Sequence, residues 1–202
     1  MNKQVKDFYN THWERFDVSR VRIWKYVKEF TSTLPKESTV LDVGCGNGKN
    51  IKYMLDNQIQ ASGIDFSEKL VQVCRKKDLD VCYGDTLDIP YPDNTFDNII
   101  SIAVVHHLKE EEDRIQAIEE MIRICKPGGK ILISMWSVEQ TGNELQNRSF
   151  TYGDNQVKWE NTTRYYFVYD EPHIKEFILH FINKHYVKLM WERGNWYIEI
   201  IV

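Results

Sequence analysis

Thr39-Val40-Leu41-Asp42-Val43-Gly44-Cys45-Gly46-Asn47-Gly48-Lys49-Asn50 is the stretch whose reading decides the fold. Val40, Leu41 and Val43 make a short apolar strand, and glycines at alternate positions then let the backbone turn tightly with no Cβ in the way. Helical spacing resumes at Ile51, Met54 and Leu55. A strand, a glycine turn and a helix in succession open a doubly wound α/β sheet, where ligands sit beyond the carboxyl ends of the strands.

The same alternation continues outward from this unit. Residues 61–65 (ASGID), 79–85 (LDVCYGD), 96–105 (FDNIISIAVV) and 130–136 (KILISMW) read as further strands. Helices are expected after Ser67, through Leu70, Val71, Val73 and Cys74, and after Glu110–Glu112, along Ile115, Ile118, Ile122 and Cys125, with KPGG (126–129) ending the second. Upstream, Ile23, Val27, Phe30 and Leu34 mark a one-striped helix that Pro35 stops. Residues 137–170 show no clean period. Pro172 opens a last helix with Ile174, Phe177, Ile178 and Phe181 on one face, and HYVKLMW and NWYIEIIV flank ERG as an antiparallel hairpin. The expectation is one α/β domain over 1–202, a doubly wound, mostly parallel seven-stranded sheet closed by a C-terminal antiparallel hairpin. Residues 1–35 and 137–170 are its additions.

Bulk composition narrows the function classes. At 202 residues, 42% hydrophobic and 28% charged, the chain reads as an ordinary globular domain with apolar runs no longer than a strand. MNKQVKDFYN has no apolar stretch of the kind a secretion signal needs, so the cytoplasm is expected, the nucleus not being excluded. Cys45, Cys74, Cys82 and Cys125 lack metal-ligand spacing and read as core thiols, with no metal. The net charge of −4 hides segregation, since residues 1–28 carry seven Lys/Arg against three Asp/Glu.

Candidate ligand groups lie at the strand exits. Asp42 precedes Gly44 and Gly46, Asp65 closes the second strand where a carboxylate suits ribose hydroxyls, and Asp85 with Thr86 follows the third. Three carboxylates at three consecutive strand ends beside a glycine loop, with one closing hairpin, resemble the class I methyltransferases, and that resemblance implies S-adenosylmethionine as cofactor. GxGxxG spacing is missing, which disfavours a dehydrogenase.

Motifs along almost the whole chain then narrow the resemblance. DVGCGNGK, SIAVVHHL, the Arg114 helix with KPGG, and Trp136 followed by Glu139-Gln140 resemble the eukaryotic tRNA wobble-uridine carboxymethyl methyltransferases. The domain also occurs in animals fused to an AlkB-type hydroxylase. Tyr9-Asn10, Phe16, Ser19-Arg20 and Trp24 resemble that family's N-terminal pattern, Arg164-Tyr165-Tyr166 its RYY, and Gly194-Asn195-Trp196 its GNW. The segment between the fifth strand and the last helix is shorter than the family's. The resemblance implies cofactor contacts from Asp42, Gly44, Gly46, Asp65, Asp85, Thr86 and Ala103. It implies Arg20, Arg164 and His107 as catalytic, and Tyr9, Trp136, Glu139, Gln140, Tyr165 and Asn195 as substrate-binding.

The implied reaction esterifies a 5-carboxymethyluridine carboxylate in the anticodon loop. An acid of pKa roughly 4 is already ionised at neutral pH and needs no base. It needs alignment, worth on the order of 7 kcal/mol or more. An arginine fork suits that task. A small-molecule, quinone-type C- or O-methyltransferase shares everything up to KPGG, and a non-catalytic cofactor-binding subunit is a third reading. The resemblance also implies a heterodimer, in which a small zinc-binding activator adds a strand beside the sheet edge at 79–83.

Overall fold

The computed structural model describes residues 3–140, 149–159 and 161–202. Parts of the 137–170 addition therefore lie outside the described residues. β1 (Thr39–Val43) is an inner strand of the sheet, parallel to β2 (Gln60–Asp65) on one side and β4 (Phe96–Ile102) on the other. With β3 (Val81–Tyr83), β5 (Cys125–Trp136), β8 (Tyr186–Glu192) and β9 (Asn195–Ile201) the order is β3-β2-β1-β4-β5-β9-β8. β9 runs antiparallel to both its neighbours, which is the expected terminal hairpin.

Alternating side chains bury the sheet on two faces. Val40 packs with Val27, Phe30, Ile51, Met54 and Val71, residues of α3 (Lys25–Thr33), α4 (Lys49–Asp56) and α5 (Glu68–Arg75). Leu41 packs with Ile118, Met121, Ile174, Phe177 and Phe181, from α6 (Glu111–Ile124), α7 (Glu171–Phe177) and α8 (Leu179–Ile182). Ser67 caps α5 through Leu70 N–H at 3.3 Å, as its position implied.

Three places differ from the sequence reading, each for a local reason. β3 keeps only Val81–Tyr83, because Leu79 N–H is drawn back to Cys74 O and Asp78 takes a left-handed turn with φ of 57°. β4 ends at Ile102, where Ala103 turns left-handed at φ 62° and the chain enters a 3-10 turn at Val105–His107. KPGG does not separate α6 from β5. Cys125 already pairs with Phe96, and the register then skips to Lys130 opposite Asn98, so the glycines form a bulge within the strand.

The region without a period holds a second sheet, β6 (Gly153–Trp159) paired antiparallel with β7 (Thr162–Val168). Tyr165, Tyr166 and Phe167 are all apolar in succession, so the two-residue alternation that announces a strand is erased. Tyr165 joins an aromatic cluster with Val5, Phe8 and Tyr9, while Tyr166 joins Val157 and Val168 on the other side. Two N-terminal helices, α1 (Lys3–Thr11) and α2 (Trp13–Ser19), complete the first cluster.

Candidate active site

The cofactor wall is built at the exits of β1, β2 and β3. Gly44, Gly46 and Gly48 all take positive φ, and Gly44 N–H and Cys45 N–H donate to Ile64 O at 2.8 and 3.0 Å. At Gly44 a Cβ would lie 2.4 Å from Val104 Cγ2, so glycine is required there for contact as well as conformation. Asp42 is almost fully buried, and Oδ2 accepts from Asn50 Nδ2 at 3.3 Å while Oδ1 has no partner among the described residues. Burial pushes its carboxyl up to about 7. Burial likewise lowers the neighbouring Lys49 to about 8, and its Nζ is held by Arg22 O at 2.9 Å.

Asp65 sits where expected but is engaged. Its Oδ2 accepts from Gly46 N–H and its Oδ1 from Ser67 N–H, both at 2.8 Å. These bonds tie the glycine loop to the start of α5, and burial still raises the carboxyl to about 6. A carboxylate has four acceptor directions, so ribose hydroxyls would have to share Asp65 with the backbone. Asp85 Oδ1 accepts from Leu87 N–H at 3.1 Å, and Thr86 Oγ1 is buried with no partner among the described residues. Ala103 N–H donates to Ser134 Oγ at 2.9 Å at the β4 exit.

Across the strand ends stands a second wall, made by α1, α2 and β7. The Phe16 ring lies 3.0 Å from where a Gly46 Cβ would be, so α2 covers the glycine loop. Asn10 Oδ1 accepts from Ser67 Oγ at 2.8 Å, joining α1 to α5. Tyr9 Oη and His107 Nε2 are 3.0 Å apart, and His107 Nδ1 is 2.9 Å from Tyr165 O. Since a carbonyl only accepts, Nδ1 carries the proton, and Tyr9 O–H donates to Nε2. Arg164 Nη1 donates to Tyr9 Oη at 3.2 Å. Burial, with Arg164 beside it, lowers His107 to about 3. The imidazole is thus a neutral acceptor locked at both nitrogens. It orients Tyr9, and in this arrangement neither ring nitrogen is open for the catalytic role expected from the sequence.

Arg164 is 4% exposed, and no carboxylate lies within ion-pair distance of it among the described residues. Rings surround it instead: Trp159 at 4.6 Å, Phe8 at 5.0, Tyr166 at 5.3 and Tyr9 at 5.9 Å from Cζ. Its Nε is buried without a partner among the described residues. Arg20, half-buried, lies over the same Trp159 at 5.0 Å. The two expected arginines therefore meet at an indole that no sequence pattern singled out. Phe8, Phe16 and Tyr166 were also missed as neighbours, although Phe16 and Tyr166 lay within the quoted motifs.

The other expected substrate residues are placed differently. Tyr165 is no stacking platform: its ring is buried in the α1 cluster because β7 turns that position toward Val5 and Phe8, and its hydroxyl donates to Asp154 Oδ1 at 2.7 Å. Glu139 Oε2 accepts from Ser137 Oγ, and Gln140 Nε2 donates to Ser137 O at 2.6 Å and Gly194 O at 2.8 Å. Gln140 thus clasps the β5 exit to the β8–β9 turn, while Glu139 is bonded back to Ser137 of its own segment. Asn195, opposite Trp136 in the β5–β9 register, donates Nδ2 to Arg193 O at 3.2 Å. Trp136 packs on Tyr166 at 4.4 Å and Phe150 at 5.5 Å.

Comparison with known proteins fits this geometry. Residues 41–133 match the Methyltransferase domain family. The chain is 39% identical over 143 residues to the tRNA (carboxymethyluridine(34)-5-O)-methyltransferase of Arabidopsis thaliana, covering 71% of this chain and 35% of that protein. It is 42% identical over 136 residues to the Xenopus tropicalis protein of the same activity name, covering 67% and 21%. The chain thus spans about a third or less of these relatives' length. Among solved structures, the putative methyltransferase in complex with the Haloferax volcanii Trm112 methyltransferase activator aligns with a TM-score of 0.73 at 20% identity, over 98% of this chain and 96% of that one. That likeness bears out the doubly wound fold, and the curated relatives bear out the resemblance read from the motifs.

Proposed function

We propose that this chain, a class I methyltransferase fold homologous to the tRNA (carboxymethyluridine(34)-5-O)-methyltransferases, methylates the carboxylate of 5-carboxymethyluridine at the tRNA wobble position. The observation that carries the reading is Arg164, a buried guanidinium with no acid to neutralise it among the described residues, standing beside the cofactor wall. A buried charge without a counterion is costly, and an anionic acceptor supplies the counterion.

Three buried oxygens without a partner among the described residues, Asp42 Oδ1, Asn50 Oδ1 and Thr86 Oγ1, together with the left-handed Gly44 and Gly46, fit S-adenosylmethionine. Asp42 would hold its amino group, Asp65 its ribose hydroxyls through the lone pairs left over, and Asp85 with Thr86 its adenine. When bound, the cofactor supplies a methyl group on a positively charged sulfur. The chain's own residues do the rest. Arg164 receives the acceptor carboxylate on its unpartnered Nε side, and Tyr9, steered by His107, holds the opposite side of the guanidinium. Arg20 takes a flanking phosphate. No proton needs to be removed, which agrees with a histidine held neutral and already bonded on both nitrogens. We read residues 1–35 and 137–170 as acceptor-side additions to one domain.

Purified protein incubated with labelled cofactor and either tRNA or a metabolite extract tests this. Label is expected in tRNA, released by alkali as methanol from an ester. Label only in small molecules overturns the reading in favour of a metabolite methyltransferase.

The partner belongs to the same proposal. β3 ends the sheet, and Gly63 N–H draws on Asp80 O while Gly84 N–H donates to Asp65 O, so alternation turns Tyr83 N–H outward. Only Arg75 Nε, at 3.1 Å from Val81 O, covers this short edge among the hydrogen bonds of the described residues. A Trm112-type activator adds a strand here. Tyr83→Pro removes the outward donor and leaves the β2 ladder intact. Co-purification with the activator is expected to drop at least about tenfold, the worth of one or two lost hydrogen bonds. Unchanged co-purification moves the docking site elsewhere.

A further inference from the structure

Asn50 stands in the first turn of α4, and the sequence reading gave it no role. It is 4% exposed. Its Nδ2 donates to Asp42 Oδ2 at 3.3 Å, while its own Oδ1 is buried without a partner among the described residues. Asp42, 1% exposed, leaves its Oδ1 in the same state. An ionised carboxylate only accepts, so this bond fixes which end of the amide faces Asp42 and turns the amide oxygen away from it.

One hydrogen bond thus couples two side chains that each keep one buried acceptor oxygen open. No cation of the described chain closes the pair. Lys49, whose charge acts on Asp42, donates its Nζ to Arg22 O at 2.9 Å and reaches no carboxylate among the described residues. Buried acceptors normally find donors, and a primary ammonium brings three N–H groups on one atom.

The residue type matters at this position. An apolar side chain at residue 50 would leave Asp42 Oδ2 without its donor as well. A second acid there would repel the first and drive one of the two toward protonation. An amide steadies the carboxylate with one end and offers a neutral, directional acceptor with the other.

We propose that Asn50 is a cofactor-binding residue: its Oδ1 accepts a second N–H of the ammonium of S-adenosylmethionine, beside the one held by Asp42, while its Nδ2 keeps Asp42 aimed at that group. This rests on the cofactor assignment made above. It adds the residue on which selectivity for an amino-bearing cofactor depends.

The test uses two ligands that differ by one group, S-adenosylhomocysteine and its analogue with hydrogen in place of the amino group. Calorimetry measures both on wild type, Asn50→Leu and Asn50→Ala, each co-expressed with the activator, and no methyl transfer is needed. Wild type is expected to prefer the amino-bearing ligand. Both variants are expected to shrink that preference at least about tenfold, the worth of one hydrogen bond to a charged group, with affinity for the desamino analogue near wild type. Thermal melts show which variants fold, and alanine, the best helix former, covers a failure of the leucine variant. If the preference survives in the folded variants, or if both ligands lose affinity alike, Asn50 supports the loop and the proposal is overturned. If wild type binds neither ligand, the cofactor assignment itself fails, whatever the variants do.

Discussion

The two walls of the site solve the problem of buried charge in opposite ways. On the cofactor wall, Asp65 is anchored by two backbone N–H groups and Asp42 by one asparagine, and burial still pushes both carboxyls upward, to about 6 and about 7. On the acceptor wall, Arg164 is held by four rings, one of which, Tyr9, also accepts its hydrogen bond, with no acid in ion-pair reach among the described residues. An acidic wall suits an amino group, hydroxyls and a positive sulfur, while a cationic wall suits an anion. The arrangement sorts the two ligands by charge before any shape is considered.

Breaking the cationic wall should have the largest effect. Arg164→Gln keeps some polarity and removes the charge, so kcat/KM on tRNA is expected to fall at least about 100-fold, close to 3 kcal/mol of lost charged hydrogen bonding. Cofactor affinity should stay near wild type. Arg20→Ala, half-exposed in the fold, should cost less, about tenfold. Steady-state kinetics with calorimetry on the same preparations separates the walls. Weakened cofactor binding in Arg164→Gln would mean that they are one network.

The acidic wall should respond more moderately. Asp65→Ala removes acceptors for Gly46 and Ser67 N–H, and is expected to lower S-adenosylmethionine affinity at least about tenfold and stability by about 1–3 kcal/mol. Isothermal calorimetry and chemical denaturation measure the two losses. Lost stability with unchanged affinity would make Asp65 a loop anchor alone.

The smallest effect sharpens the contrast without breaking it. Asp42 titrates at about 7 in the fold against an ordinary value of 3.8, so its contribution to stability is complete below 3.8 and is lost as pH rises through 7. An amino group prefers the ionised carboxylate. Cofactor affinity is therefore expected to climb between pH 5 and 7, by up to about tenfold per unit, and to level above 7. Asp42→Asn should flatten the Asp42 part of that profile, read by calorimetry across the range. A wild-type profile already flat would place the amino group elsewhere.

The walls also differ in how far they could be read from residues alone. Asp42 and Asp65 lie at the ends of β1 and β2, and Gly44, Gly46 and Asp85 follow a strand by one to three positions, so a one-dimensional pattern places them. Their loads were less visible. Nothing in ASGID shows that Asp65 is spent on Gly46 and Ser67 N–H. The acceptor wall joins residues as far apart as Tyr9 and Arg164, and its β7 strand hides behind three consecutive aromatics. Glu139-Gln140 and Gly194-Asn195 were read as substrate motifs because they recur together in the resembling family. Their pairing is a clasp, in which Gln140 donates to Gly194 O beside a left-handed glycine.

The sequence by itself determined the alternation of strands and helices, the glycine loop and the carboxylates at its strand exits. Those depend on periodicity and on neighbours within a few residues, which local sterics and burial enforce. Only the tertiary structure decided that β3 is three residues long, that His107 is a locked neutral acceptor, and that Trp159 gathers two arginines. The physical reason is that a buried polar group takes its character from whichever groups remain to satisfy it. Those groups come from segments that only the folded chain brings within 3 to 5 Å.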